Sequence, residues 1–377
     1  MRTVILVMFR LAALVLCVFT VLPVVPADEW FVRIFDFPRV QIIAAMAATL
    51  IALLVASGQD RRALPAGSHA RADRLLRVGF PAALAVAMGW QAFRIFPYTP
   101  LAPLQLPRAD NLDPDRTIRL LIFNVRYDNT DAGALLDLVA QTNPDAILLV
   151  EPTARWDQQL EPLTGRFSHA VRQPQENHYG ILLFSRFELI DPEVRFLVEA
   201  EVPSVRTGMR LPSGDTLTLY GLHPKPPGLK RPVDRERADA EQRDAELLTV
   251  AKEVRESGGG PVIVAGDFND VAWSHTTRLF QRISGLLDPR VGRGLYNTYN
   301  ARSALTRFPL DHVFVSEHFR LVDMRVLPPT GSDHHPVLIT LAYDPADPEP
   351  SPNPTPDPGD LEEANQAIDD GITPDDD

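Results

Sequence analysis

The chain has 377 residues, a net charge of −12 and 45% hydrophobic residues, which suits one large domain with appendages or two modest domains. The acidic excess is C-terminal, because residues 344–377 contain twelve Asp or Glu residues and no Lys or Arg. Residues 116–343 carry 26 basic and 29 acidic residues, so they lack the strong basic excess of proteins that grip long nucleic acids. Cys17 is the one cysteine, which excludes a disulfide within the chain.

Three apolar stretches, at about 4–25, 40–57 and 78–96, predict that residues 1–98 are a membrane anchor with two or three transmembrane helices. The first stretch has an alternative interpretation as a cleaved signal peptide, because Arg2 and Arg10 give it a basic start. The third stretch is short and contains Pro81, so a buried, re-entrant or interfacial segment is its alternative.

The connection between the second and third stretches is the most basic one, which predicts that residues 58–77 are cytoplasmic. Its basic residues are Arg61, Arg62, Arg71, Arg74 and Arg77. If the third stretch spans the membrane, everything after about residue 98 lies outside the cytoplasm. If it does not span, that orientation is reversed.

Residues 99–115 are rich in proline and are expected to form a linker. Residues 116–343 alternate strand-like runs with helical patterns, which predicts an α/β or α+β domain. The predicted strands are Arg119–Asn124, Ala146–Glu151, Gly180–Ser185, Thr216–His223, Pro261–Asp267, His312–Ser316 and Val337–Leu341, and the predicted helices include Ala132–Gln141 and Arg235–Ser257. Residues 344–377, with eight prolines and dense negative charge, are expected to be disordered.

Polar residues recur where the strand-like runs end or begin, and such groups are costly to bury without a partner. These residues are Asn124, Glu151, His223, Asp267, Asn269, Asp311, Asp333 and His334. Carboxylates and an amide suit a hard divalent cation, while imidazoles can bind phosphate oxygens and move protons. The set therefore indicates metal-assisted phosphoester chemistry if the strand ends converge.

These motifs, above all Gly-Asp-Phe-Asn at 266–269 and Ser-Asp-His-His-Pro at 332–336, resemble the endonuclease/exonuclease/phosphatase family over about residues 117–342. The resemblance implies a four-layered sandwich of two packed mixed β-sheets flanked by helices. It also implies the following roles. Glu151, Asn124 and Asp333 would hold Mg²⁺ or Mn²⁺. His334 would act as a base or phosphate stabiliser oriented by Asp311. His223 would contact the scissile phosphate or serve as an acid. Asp267 would orient the attacking water or stabilise the leaving group, and Asn269 would hold a phosphate oxygen.

Other residues near the motifs have less specific expectations. His178 and Tyr179 occupy positions where family members often shape the substrate pocket, so both are candidate substrate-binding residues. His312 is expected to pack, and His335 is expected to face away from His334 if the chain is extended. A basic run after His223 is interpreted either as a contact for phosphate-rich groups or as a solvated loop; it contains Lys225, Lys230, Arg231, Arg235 and Arg237.

The resulting expectation is a membrane-anchored, divalent-metal-dependent phosphodiesterase that acts as a nuclease. A lipid or small-molecule phosphodiesterase or phosphatase is the alternative, and a catalytically inactive binding protein is the third hypothesis. The expected location is a bacterial inner membrane, with a multi-pass anchor and the catalytic domain on the periplasmic or extracellular side. The expected partners are the phosphoester substrate and the membrane, with no obligate protein partner.

Overall fold

The computed structural model describes residues 2–25, 29–59, 68–109, 112–228, 239–345 and 353–372, which form two compact units that divide between Pro97 and Tyr98. The first unit is helical, with α1 (Arg2–Val21), α2 (Trp30–Arg33), α3 (Arg39–Gln59) and α4 (Ser68–Ile95). By length and composition three of its helical segments could cross a membrane; they are Val4–Val24, Arg39–Ala56 and Leu75–Tyr98. Each predicted apolar stretch therefore coincides with one such helical segment.

A buried polar network links the three long helices of this unit. The Arg39 guanidinium pairs with Asp36 and donates a 2.6 Å hydrogen bond to Gln91, whose amide donates to the Thr20 hydroxyl at 3.1 Å. Polar groups inside an apolar bundle are stabilised when they bind one another. Helix α4 runs unbroken through Pro81. The predicted orientation of the helices across the membrane remains a prediction. Residues 60–67 of the basic connection lie outside the described residues.

The second unit contains two mixed β-sheets. The six-stranded sheet has the order β10-β11-β1-β2-β4-β3, and the five-stranded sheet has the order β5-β6-β7-β8-β9. The strands are β1 (Thr117–Asn124), β2 (Ala146–Val150), β3 (His169–Gln173), β4 (Ile181–Ser185), β5 (Glu188–Phe196), β6 (Pro203–Arg210), β7 (Thr216–Leu222), β8 (Val262–Asp267), β9 (Asp311–Val315), β10 (Phe319–Val326) and β11 (Val337–Tyr343). In each sheet one central pair is parallel, β1 with β2 and β7 with β8, and the other pairs are antiparallel.

The central strands are apolar on both faces, which explains their near-continuous hydrophobic runs. In β1, Leu120 and Ile122 enter the core between the sheets, whereas Leu121 and Phe123 face the helices on the other side. The β8 strand follows the same alternation, with Ile263 directed to the core between the sheets. One strand thereby contributes to two hydrophobic layers.

Helices cover both outer faces of the paired sheets. α5 (Ala132–Thr142) and α6 (Ala154–Gln159) pack on the six-stranded sheet, and α7 (Glu241–Glu256) and α8 (His275–Ser284) pack on the other. α9 (Asp360–Ile372) packs on α7 and α8. The result is helix, sheet, sheet and helix, so the predicted four-layered sandwich is confirmed. The helix expected at Arg235–Ser257 begins later, at Glu241, and residues 235–238 lie outside the described residues.

The C-terminal segment corrects the expectation of disorder for residues 344–377. Residues 360–372 form helix α9, which packs against α7 through Ala364, Ala367 and Ile368, and Ala364 is fully buried. These three residues recur at helical spacing and give one apolar stripe in an otherwise polar segment. Asp360 also accepts two hydrogen bonds, at 2.7 and 2.9 Å, from Arg282 on α8.

Candidate active site

The strand topology brings the polar strand ends to one edge of the sandwich. β1 and β2 run parallel with Asn124 opposite Val150, so Asn124 and the following Glu151 end side by side. In the second sheet, Asp267 at the end of β8 is opposite Asp311 at the start of antiparallel β9. Ends of parallel strands and starts of their antiparallel neighbours meet at the same edge. The two sheets therefore present their polar ends to each other.

His334 and Asp311 form a buried hydrogen-bonded pair. The Nδ1 atom of His334 lies 2.8 Å from Asp311 Oδ2, and its Nε2 atom lies 3.5 Å from Asp267 Oδ2. Burial works against a charged imidazole, but the carboxylates of Asp311 and Asp267 outweigh it and raise the pKa of His334. Burial, together with the charge of Asp311, raises the pKa of Asp267. The protonation states of His334 and Asp267 therefore depend on each other.

Glu151 is a half-buried carboxylate with four neighbouring groups. Its Oε1 atom accepts a 2.9 Å hydrogen bond from Asn124 Nδ2 and lies 3.9 Å from His223 Nε2. Its Oε2 atom accepts from the backbone N–H of Tyr127 at 3.2 Å and lies 3.6 Å from His178 Nδ1. Burial opposes the charge, yet His178, His223 and Asn124 together lower the pKa of Glu151 to about 2. The carboxylate is ionised at neutral pH and available to a cation.

Asn124 connects the two halves of the site. Its Nδ2 group donates both to Glu151 and, at 3.0 Å, to Asp267 Oδ2. Its Oδ1 atom accepts from the backbone N–H of Arg126 at 2.9 Å, which fixes the orientation of the amide. His223 lies 3.9 Å from Asp267 as well as from Glu151. The carboxylates of the two sheets thus share one amide and one imidazole.

The Gly-Asp-Phe-Asn segment makes a tight turn at the end of β8. Asp267 Oδ1 accepts from the backbone N–H of Asn269 at 2.9 Å, which leaves Oδ2 directed to Asn124 and His334. Asn269 has a left-handed φ of 52°, a conformation that asparagine tolerates. Its side chain donates to the Pro224 carbonyl at 2.9 Å. The turn therefore orients both Asp267 and Asn269.

The remaining predicted residues take several positions. Asp333 is partly exposed, and its Oδ2 atom lies 3.6 Å from Arg126 Nη1. Tyr179 is buried beside His223, with ring centroids 6.0 Å apart. His335 contacts the Leu327 carbonyl, and its neighbour His334 faces Asp311.

His312 is a buried packing residue, as expected, and it also supports the turn after β8. Its ring stacks on Phe268 with the centroids 4.8 Å apart. Arg290 can only donate, so its 2.7 Å contact makes His312 Nδ1 an acceptor and places the proton on Nε2. That Nε2–H donates to the Asp270 carbonyl at 2.8 Å.

Two supporting hydroxyl groups were assigned no role from the sequence, although Ser332 belongs to the Ser-Asp-His-His-Pro segment. The Ser332 hydroxyl donates to the Asn124 carbonyl at 2.7 Å and accepts from the His334 backbone N–H at 3.0 Å. The Thr298 hydroxyl accepts from the Asp311 backbone N–H at 3.2 Å. Hydroxyl groups in loops follow no hydrophobic period, so only their proximity in three dimensions identifies them.

Oxygen ligands for a divalent cation are present at this edge. Ionised Glu151 suits such a cation, and Asp267, Asp311 and His334 bring one ligand atom each to within 4.8 Å of one another. Among Asp267, Asp311 and His334, however, the Nδ1 atom of His334 already forms a hydrogen bond with Asp311. A cation there would compete with that hydrogen bond, so Glu151 is the better anchor for a metal.

A family model described as the endonuclease/exonuclease/phosphatase family matches residues 121–334, more than half of the chain. The UPF0294 protein of Vibrio campbellii is 23% identical over 252 residues, which cover 62% of this chain and 80% of that protein. Humanized D. rerio TDP2 with 14 mutations has a TM-score of 0.50 at 16% identity, covering 60% of this chain and all of that structure. An endonuclease/exonuclease/phosphatase from Beutenbergia cavernae has a TM-score of 0.48 at 17% identity, and the match covers 61% of this chain and 72% of that structure.

At its low identity the TDP2 structure shows similarity of fold alone. The family model extends over the segment that carries the polar strand ends, from β1 to His334. The chain belongs to the endonuclease/exonuclease/phosphatase family of hydrolases.

Proposed function

We propose that the protein is a membrane-anchored, divalent-metal-dependent phosphodiesterase. The observation that carries the proposal is the arrangement of the His334–Asp311 pair and Asp267 opposite the Glu151–Asn124 pair, with His223 between the carboxylates. The arrangement supports a mechanism in which proton-transfer groups lie beside a cation that would bind the phosphate. The substrate proposed first is a nucleic acid strand, as expected from the sequence.

In the proposed reaction, side chains of the site bind the phosphate and take a proton from the attacking water. Because Asp311 engages Nδ1 and the pKa of His334 is raised, His334 is an imidazolium whose Nε2–H donates to a phosphate oxygen. Asp267, whose pKa is also raised, accepts the proton of the attacking water through Oδ2. As the water oxygen bonds to phosphorus, the P–O bond to the leaving group breaks, and the leaving oxygen takes a proton from solvent. Asn269 and His223 supply further hydrogen bonds to the phosphate. No covalent intermediate is involved.

The metal would be held by Glu151, assisted by Asn124 and by Asp333 as a further ligand. When bound, Mg²⁺ or Mn²⁺ neutralises charge on the phosphate oxygens. Glu151 fits this role as it stands, because it is ionised and its oxygens face the site. Asp333 would first have to release Arg126, from which it lies 3.6 Å away.

A lipid phosphodiester is a second candidate substrate, and one observation favours it. Three helical segments of the same chain are long and apolar enough to cross a membrane, which would hold the enzyme near lipid headgroups. The anchor, its location in a bacterial inner membrane and a periplasmic or extracellular catalytic unit are parts of the proposal.

A substrate panel tests the proposal with the full chain in detergent. It contains single- and double-stranded DNA, RNA, phospholipid vesicles and a bis-aryl phosphodiester, each with Mg²⁺ or Mn²⁺. We expect cleavage that the His334→Ala variant loses and that the His169→Ala variant, altered on edge strand β3, retains. Preference for a nucleic acid whose cleavage weakens with rising salt supports the first substrate. Preference for vesicles supports the second, and no cleavage of any member contradicts the proposal.

A further inference from the structure

We propose that His178 is a nitrogen ligand of the cation at Glu151, and that the centre therefore prefers Mn²⁺ over Mg²⁺. The inference rests on the proposed function, because it concerns the metal of that same site. Sequence reasoning placed His178 in the substrate pocket. The structure directs its imidazole instead to the carboxylate that anchors the metal, with Nδ1 3.6 Å from Glu151 Oε2.

The loop that carries His178 is fixed against the segment that follows β2. The backbone N–H of Glu151 donates to the Gly180 carbonyl at 2.9 Å, and Gln175 donates to the Pro152 carbonyl at 3.1 Å. A Cβ atom on Gly180 would lie 2.0 Å from that same Pro152 carbonyl oxygen, so only glycine permits this approach. The position of His178 relative to Glu151 is therefore set by the backbone.

Both residues also have left-handed backbone conformations. The φ angle is 63° for Glu151 and 72° for His178, and such conformations are uncommon for residues other than glycine. A strained conformation of this kind is found mainly at functional sites. Here the two unusual conformations turn two side chains toward the same point.

The distance between these side chains fits two ligands of one ion better than a direct hydrogen bond. Hydrogen bonds from nitrogen to oxygen are usually roughly 2.7–3.2 Å long, and the observed separation is 3.6 Å. Two ligand atoms that each lie about 2.1 Å from an ion, at right or tetrahedral angles, are separated by roughly 3.0–3.4 Å. A small adjustment of either side chain brings both atoms to that separation.

Tyr127 holds the imidazole in this orientation. Its ring packs on the ring of His178 with the centroids 3.6 Å apart and the planes at 57°. The backbone N–H of the same tyrosine donates to Glu151 Oε2. Tyr127 thus restrains both the carboxylate and the imidazole. The imidazole is therefore already oriented before a cation binds.

A nitrogen ligand changes which ion the site prefers. Mg²⁺ is bound through oxygen atoms and retains several waters, whereas transition metals accept imidazole readily. A site composed of Glu151, Asn124 and His178 therefore has a larger affinity for Mn²⁺ relative to Mg²⁺ than a site of oxygen atoms alone.

The test uses the full chain in detergent, with Mn²⁺ as the probe. The variant is His178→Asn, because asparagine tolerates the left-handed backbone and retains an N–H donor for Glu151 while replacing the ligand nitrogen. The control is His169→Asn, on edge strand β3. Pulsed electron paramagnetic resonance detects nitrogen coordinated to Mn²⁺, and calorimetry measures the affinities for Mn²⁺ and Mg²⁺.

We expect a nitrogen signal in the wild type and in His169→Asn that is lost in His178→Asn. We also expect Mn²⁺ affinity to fall by roughly 10-fold or more, the scale found for residues that support metal ligands, with a smaller change for Mg²⁺. A signal that survives in His178→Asn, or that is lost only in His223→Asn, overturns the assignment while the proposed function stands. Failure of the wild type to bind either ion contradicts the proposed function itself.

Discussion

The imidazole of His334 is held by the carboxylate of Asp311, with 2.8 Å between Nδ1 and Oδ2. The two residues come from different segments, because Asp311 begins β9 and His334 lies in the loop before β11. Asp311 is itself fixed by the Thr298 hydroxyl and by its position opposite Asp267. The pair is therefore positioned by both the strand register and the loop contacts.

The first prediction concerns this pair. In the Asp311→Asn variant, the imidazole loses the charge that favours its protonated form and is no longer held in one tautomer. We expect kcat to fall by about 10²- to 10⁴-fold, the range seen when an orienting carboxylate or a general acid–base group is lost. Steady-state kinetics on a bis-aryl phosphodiester gives kcat, and thermal unfolding checks that the variant is folded. Retention of wild-type kcat by a folded variant would contradict the role given to Asp311.

The second prediction concerns the metal. Replacing Glu151 with Gln removes its negative charge while retaining the side-chain shape, so we expect Mn²⁺ affinity to fall by at least about 10-fold. Calorimetric titration of the full chain measures this loss. The matched control is Glu161→Gln, an exposed acid beyond α6. Equal Mn²⁺ affinity in wild type and Glu151→Gln would place the cation elsewhere.

The third prediction concerns pH and a carboxyl group outside the site. Glu246 on α7 is buried, and burial together with the nearby charge of Glu199 raises its pKa from 4.5 to about 8, against the influence of Arg195. In the folded state the group therefore holds a proton that the unfolded state releases between these values. Unfolding free energy falls as pH rises through this window, because the folded state binds more protons there.

The Glu246→Gln variant should lose this pH dependence and should be more stable than the wild type near pH 8. Thermal unfolding from pH 4.5 to pH 8 measures the difference. The control is Glu256→Gln, which alters an exposed acid on the same helix. If the slopes of wild type and Glu246→Gln are the same, the carboxyl group is not protonated in the folded protein.

The fourth prediction concerns helix α9. The Ala364→Asp variant would place a charge in the contact with α7, where Ala364 is fully buried. We expect it to lower the unfolding free energy of the catalytic unit by at least about 2 kcal/mol or to release the helix. Chemical denaturation measures the first effect, and limited proteolysis at the C-terminus detects the second. The exposed Glu362→Gln substitution on the same helix should cause neither effect.

The sequence predicted that the polar strand ends could converge, and one topological rule explains why they do. Asn124, Glu151, His223 and Asp267 all follow apolar strands, and the parallel pairs β1–β2 and β7–β8 bring those strand ends to the same edge. Strand β5 was not predicted, because it is an edge strand with mostly exposed side chains and lacks a continuous apolar run. Continuous apolar runs identify strands that are covered on both faces, such as β9, whereas strands with an exposed face carry weaker patterns.

The parts that could not be predicted depend on contacts between distant segments. The Thr298 and Ser332 hydroxyls support Asp311 and His334 only after the loops come together. The disorder expected for the tail was wrong for residues 360–372, because average composition concealed the stripe that includes Ala364 and Ile368. A few apolar residues at helical spacing are sufficient when a partner surface exists.

The most direct test of the central claim is hydrolysis of a bis-aryl phosphodiester by the full chain with Mn²⁺, with the chelator EDTA, and in the Asp267→Asn variant. This substitution retains the Oδ1 acceptor for the Asn269 backbone N–H but removes the carboxylate that we propose accepts the proton of water. The account predicts cleavage that requires the metal and that falls by at least about 100-fold in the variant. Cleavage that persists with EDTA, or at the wild-type rate in a folded Asp267→Asn variant, would contradict it.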